Sequence, residues 1–211
     1  MAYDLQEQEH LEAIKGWWER YGRLVMVVVI ACLLMIAAFQ GWRYYRHQQS
    51  LSAVTLYEQM AQAERVNEHK KVRDIAAQIT DKYARTPYAA MAALSAARAG
   101  FETGDLATAK AQLQWVIDNA REEEMREVAR LRLAGVLLDE KKYDEALALV
   151  NGAHSAPFGA LYADMRGDIL LAQGKRGEAR SAYQQALEKS DVKSPYRPMI
   201  QAKIDALGEA K

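Results

Sequence analysis

Between Arg23 and Arg43 the chain carries no charged side chain, and the run from Leu24 to Trp42 reads LVMVVVIACLLMIAAFQGW. No other stretch constrains the fold as much. As a helix it extends about 28 Å at roughly 1.5 Å per residue, close to the ~30 Å hydrocarbon core of a bilayer. Trp17, Trp18 and Tyr21 precede the run, and Trp42, Tyr44 and Tyr45 follow it. Aromatic rings at both ends are what interfacial anchoring requires, and Arg23 and Arg43 can extend outward to the headgroups. The core helix of a soluble domain would have no use for two such belts. The run therefore predicts one transmembrane helix, with Cys32, the single cysteine, as a small apolar filler inside it.

The preceding residues do not suit a cleaved signal peptide, which needs a short basic start. Asp4, Glu7, Glu9, Glu12 and Glu19 outnumber Lys15, Arg20 and Arg23 there. After Ile36-Ala37-Ala38-Phe39 no clear small-x-small cleavage site follows. The expectation is an uncleaved signal anchor. Three bases before the span against Arg43 and Arg46 after it favour a cytoplasmic N-terminus. Residues 43–211 then lie on the far side, the periplasm of a Gram-negative bacterium.

Composition removes several classes of function. Lys+Arg and Asp+Glu are both 28, so the basic excess of a nucleic-acid binder is missing. One cysteine excludes an intrachain disulfide framework and a cysteine-rich zinc site. Only 4 prolines and 12 glycines fit an all-α chain.

The chain divides on this reading into a head at 1–23, an anchor at 24–42, juxtamembrane helices with a further repeat at 43–87, and a repeat domain with a capping helix at 88–211. In the head, Leu11, Ile14, Trp18 and Tyr21 share one helical face, as in a short surface helix. From Gly41 to Pro87 there is neither glycine nor proline, so the anchor helix can continue to about Val66. Asn67-Glu68-His69 reads as a turn, followed by a helix from Lys70 to Ala84.

The remainder repeats. The clearest unit runs Ala163–Gly174 and on to Leu187, with Gly167, Gly174, Ala179 and Tyr183 in the small, turn, contact and aromatic positions of a tetratricopeptide repeat. A second aligns Ala97, Gly104, Ala109 and Leu113, and a third Ala134, Lys141, Ala146 and Val150. A fourth, the weakest, places Ala76 at the contact position. These contact residues recur close to the 34-residue period of such repeats. About three stacked units suffice for a stable solenoid. The helix from Ser194-Pro195 through Ile200, Ile204 and Leu207 to Gly208 suits the role of an end cap. The fold class is thus all-α: a transmembrane helix followed by a tetratricopeptide-like α-solenoid.

No motif points to catalysis, a metal or a cofactor. His10, His47, His69 and His154 are scattered, and neither a His-x-x-x-His pair nor a phosphate-binding glycine loop is present. Glu122-Glu123-Glu124 reads as a solvated helix start, and the His154-Ser155 pair as part of an inter-unit loop ended by Pro157. What remains is binding, since stacked helix pairs form a concave groove lined by the first helix of each unit. The repeat register puts Met91, Leu94, Arg98 and Phe101 there in one unit. Leu131 and Leu138 follow in the next, and Leu161, Asp164 and Asp168 in the last. Arg98, Phe101, Asp164 and Asp168 lead this set because charges are rarely buried.

Gly41-Trp42-Arg43-Tyr44-Tyr45, Leu131-Arg132-Leu133-Ala134 and the Ala163–Gly174 and Gly177–Tyr183 segments carry a more particular likeness. Through them nearly the whole chain resembles the ancillary SecYEG translocon subunit family, also called the YfgM family. The resemblance implies a single-pass protein of the bacterial inner membrane with a cytosolic N-terminus and a periplasmic repeat domain. It also implies two partners, the SecYEG translocon and a membrane-anchored periplasmic chaperone of the prolyl-isomerase type. The role would be that of a non-catalytic adaptor passing newly translocated polypeptides to chaperones. The residues alone leave three other readings open: a scaffold for a different envelope assembly, an enzyme whose site carries no recognisable motif, and a regulator acting through the cytosolic head.

Overall fold

The computed structural model describes the backbone of residues 2–208, with side chains from residue 15 onward. Leu11 and Ile14 of the expected surface stripe therefore lie outside the described side chains. Among the described residues every regular element is helical: α1 (Ala2–Arg65), α2 (His69–Lys82), α3 (Pro87–Glu102), α4 (Leu106–Asn119), α5 (Glu123–Asp139), α6 (Tyr143–Val150), α7 (Gly159–Ala172), α8 (Arg176–Lys189) and α9 (Arg197–Ala206), with a short 3-10 turn at Ala156–Phe158. The chain forms two compact units, one ending at Gln49 and the other beginning at Ser50.

In the first unit no protein covers the apolar side chains of the span, which is long and apolar enough to cross a membrane. Trp17 lies 6.5 Å from Trp18 and 5.9 Å from Tyr21, ring to ring. After the span the Arg43 guanidinium stands 5.9 Å over the Phe39 ring. Gln48 and Gln49 donate to the Tyr44 and Tyr45 hydroxyls at 3.2 and 3.0 Å. Trp17 with Tyr21 before the span, and Phe39 with Arg43, Tyr44 with Gln48 and Tyr45 with Gln49 at its far end, are neighbours one turn apart on the same helix face.

The second unit is built from one corner used four times. Asn67, Gly104, Lys141 and Gly174 take left-handed backbone angles, with φ of 56°, 76°, 61° and 79°. Each ends a helix, and the next N–H reaches back to close it: Glu68 to the Ala63 carbonyl at 2.9 Å, Asp105 to Gly100 at 2.8 Å, Lys142 to Leu137 at 2.8 Å, and Lys175 to Leu170 at 2.9 Å. The N–H groups of Val72, Ala109, Ala146 and Ala179 in the following helix donate to the carbonyls of Glu68, Asp105, Lys142 and Lys175, the residues just after each corner. The four helix pairs are therefore the end of α1 with α2, α3 with α4, α5 with α6, and α7 with α8.

This geometry corrects the register of the first pair. Its contact residue is Val72, fully buried, and not Ala76, which sits one turn later in the place taken by Leu113, Val150 and Tyr183. With Asn67 at the corner, no glycine marks from where to count. With Val72 in place, the first interval equals the second.

The core is a chain of three apolar clusters. Met60, Ala63, Val72 and Ile79, with Ala89, Ala92, Ala96 and Ala99 of α3, belong to the first. Leu113, Val116, Leu133, Leu137, Tyr162 and Ile169 belong to the second, and Ala179, Tyr183, Ala186, Ile200 and Ile204 to the third. Small residues let the helices approach closely: a Cβ added to Gly100 would meet the Ala109 nitrogen and the Asp105 carbonyl oxygen at 3.0 Å. At the end of the stack, α9 covers α8 with Ile200 and Ile204. Arg197 donates to the Leu187 and Ser190 carbonyls at 2.6 and 3.1 Å, closing the C-terminus of α8.

Glu127 is the one charged side chain buried among the described residues. Its carboxylate accepts the Ser155 N–H at 2.7 Å, which fixes the loop between α6 and α7. On that loop His154 stacks on Tyr162 at 4.6 Å.

Candidate partner-binding groove

Met91, Leu94, Arg98 and Phe101 are spaced to share one face of α3. Leu94 packs partly into the core, Met91 is half-buried, and Arg98 and Phe101 are exposed. Opposite them α5 presents Arg132, Gly135, Leu138 and Asp139. Between the two helices lies a cleft of about 330 Å³ whose floor is Ala97, Leu113 and Val136. Three of the expected groove residues, Arg98, Phe101 and Leu138, meet in its walls. Phe101, 47% exposed, is the largest apolar surface there.

Leu161 is exposed on α7, apart from this cleft. Asp164 and Asp168, on the same helix, are engaged within the chain. The Lys203 ammonium on α9 donates to Asp164 at 2.8 Å and to Asp168 at 2.7 Å, and the Tyr183 hydroxyl donates to Asp168 at 2.8 Å. Burial raises the Asp164 carboxyl above its ordinary range, and Lys203 offsets only part of that. Burial alone would lower Lys203, but its two carboxylate partners outweigh it and hold the ammonium above its usual value. Burial, then Asp168, pushes the Tyr183 phenol up. The network ties the cap to the last pair.

Arg132, Gly135 and Asp139 were not among the expected groove residues. The register could have found Gly135: six residues before the corners at Gly104, Lys141 and Gly174 stand Arg98, Gly135 and Asp168, and three before stand Phe101, Leu138 and Leu171. Glycine carries no chemistry of its own, so a search for functional side chains passes over it. Arg98 is held along its helix by Glu102 at 2.8 Å.

A salt bridge joins α4 to the end of the next pair's first helix. Lys110 on α4 donates to both Glu140 oxygens at 2.7 and 2.6 Å, and Lys142 lies 3.2 Å from the same carboxylate. These two bases hold Glu140 below the ordinary carboxylate range.

Sequence comparison finds similar chains elsewhere. A family model described as a tetratricopeptide repeat-like domain matches residues 15–209. A protein of Escherichia coli (strain K12) named ancillary SecYEG translocon subunit is 33% identical over 204 residues, 95% of this chain and 96% of its own length. A protein of the same name from Neisseria gonorrhoeae is 31% identical over 211 residues, 98% of this chain and 100% of its own. One from Haemophilus influenzae is 29% identical over 189 residues, 88% and 91% of the two chains.

Proposed function

The chain belongs to the family of ancillary SecYEG translocon subunits, and from that premise we propose that it is a non-catalytic, membrane-anchored adaptor of the translocon. It associates with SecYEG through its anchor and repeat domain, and with a periplasmic chaperone of the membrane-anchored prolyl-isomerase type. Between them it helps newly translocated polypeptides reach their folding partners. The observation that carries this reading is the match in length: relatives bearing the translocon name align over nearly the whole chain, anchor and solenoid together.

The geometry supports a docking role. The cleft between α3 and α5 is apolar and flanked by charge, as a surface for a polypeptide segment needs to be. A domain tethered by one helix is held near the translocon exit, where an effective concentration of order mM lets even a weak groove be occupied. The bases at Lys15, Arg20 and Arg23 support a cytoplasmic N-terminus and a periplasmic repeat domain.

In-cell photocrosslinking from position 101 tests the proposal. Translocon subunits and a periplasmic chaperone are the expected products. Crosslinks to a different envelope complex would replace the function while leaving the fold, and crosslinks to cytosolic proteins alone would invert the topology.

A further inference from the structure

Helix α5 contains a glycine that its own packing does not require. Glycine inside a helix weakens it relative to alanine, and Gly100, in the last turn of α3, and Gly167, in the middle of α7, have a packing reason to be there. A Cβ on Gly100 would press on backbone atoms of α4 and its corner, and one on Gly167 would run into the Tyr183 ring. At Gly135 the nearest atom to such a Cβ is the Met165 terminal methyl at 3.8 Å, an ordinary contact. The fold would gain from alanine at this position. Gly135 instead keeps a side chain out of the cleft wall, at the register position that Arg98 and Asp168 fill in the neighbouring pairs.

The charges around the cleft say what it receives. Arg98 is occupied by Glu102. Arg132 and Asp139 are exposed and, among the described residues, have no ion pair or side-chain hydrogen bond. They flank Gly135 on α5 about 10 Å apart at ~1.5 Å per residue. The cleft therefore offers an apolar seat, a bare stretch of helix backbone, and one free charge of each sign on either side.

We propose that Gly135 is the close-approach point for the main chain of a bound polypeptide segment. That segment seats one large apolar side chain between Phe101 and Leu138, sets a carboxylate against Arg132 and sets a basic group against Asp139. This rests on the cleft being the adaptor's partner groove and adds the chemistry of the occupant. The paired charges also fix direction, because a reversed segment would set like charges together.

The test uses the full chain in detergent micelles and a panel of fluorescein-labelled peptides. Each has Leu, Phe or Ser at the centre, with Glu on one side and Lys on the other, at extended or helical spacing and in both orders. Binding of Leu or Phe peptides in one charge order, with loss for Ser, is expected. Gly135→Ala should raise the thermal midpoint by about 2 °C and weaken binding at least tenfold. The Arg132→Asp/Asp139→Arg variant should prefer the opposite charge order. The proposal is overturned if no peptide binds the wild type, if Gly135→Ala binds as tightly, or if the charge exchange leaves the preferred order unchanged. Such a result beside intact translocon crosslinks from position 101 would remove this occupant and leave the adaptor standing. The expected peptide code without those crosslinks would support the proposal and remove the adaptor.

Discussion

Tyr183 occupies the space that any side chain on Gly167 would need. A Cβ at position 167 would fall among the ring carbons, and the ring is fully buried. The glycine lets α8 lie against α7, and the tyrosine hydroxyl then reaches Asp168 at 2.8 Å. Packing and the polar network at the cap depend on the same close approach.

Gly167→Ala should therefore destabilise the protein by about 2 kcal/mol, the ordinary cost of overpacking. This is despite a gain of about 1 kcal/mol in helix propensity. Adding Tyr183→Leu should recover part of the loss, since the two sites share one volume. Denaturant unfolding of the full chain in detergent measures both. An unchanged midpoint for the single variant would mean that the ring simply moves aside.

Lys141 holds a left-handed corner in which two of its counterparts are glycine. A side chain there costs roughly 1–2 kcal/mol, partly offset by glycine's greater freedom in the unfolded chain. Lys141→Gly should stabilise the fold by up to about 1 kcal/mol. Asn67→Gly should gain less, because asparagine tolerates this conformation better. Thermal unfolding of the two variants side by side gives the comparison.

Lys203 is shared by two carboxylates on α7, and removing it leaves both partly buried without a counter-ion. Lys203→Met should cost about 2 kcal/mol at pH 7, below the ~3–5 kcal/mol of a fully buried pair because these groups retain some solvent. Asp164→Asn should cost less, because burial already disfavours the charged form of Asp164. The Lys203 value is raised in the folded state above its ordinary 10.5. Its contribution is therefore complete below that pH and is lost as pH climbs through the raised value. Melting curves from pH 7 to the alkaline limit should show wild type converging on Lys203→Met, and a constant gap would contradict the assignment.

Glu127 accepts the Ser155 N–H across the α6–α7 loop at 2.7 Å. Glu127→Ala leaves that donor without its partner and should cost about 1–3 kcal/mol. The more specific sign is local: amide exchange at Ser155 should accelerate more than at the core residues of α5. Equal acceleration throughout would mean a global loss rather than a released loop.

The groove was half legible. Arg98, Phe101 and Leu138 follow from the repeat register, because helical periodicity assigns a face to each residue without knowledge of what lies opposite. Asp164 and Asp168 follow by the same count, yet their partner Lys203 arrives from a helix 39 and 35 residues further on. Gly135 has no side chain to announce a role. It becomes informative only when the space beside it is compared with that beside Gly100 and Gly167.

The anchor and the glycine corners were determined by the sequence itself. Transfer of Leu24–Trp42 into lipid depends on length and polarity, which are properties of a linear string. The turns at Gly104 and Gly174 depend on a residue that alone adopts their angles cheaply. Asn67 and Lys141 are likewise legible as turn positions, and their left-handed angles agree. Tertiary structure decided the rest: Val72 rather than Ala76 as the first contact, the burial of Glu127, and the open wall at Gly135. Each of these rests on the distance between atoms far apart along the chain. That distance is set only when the helices have packed.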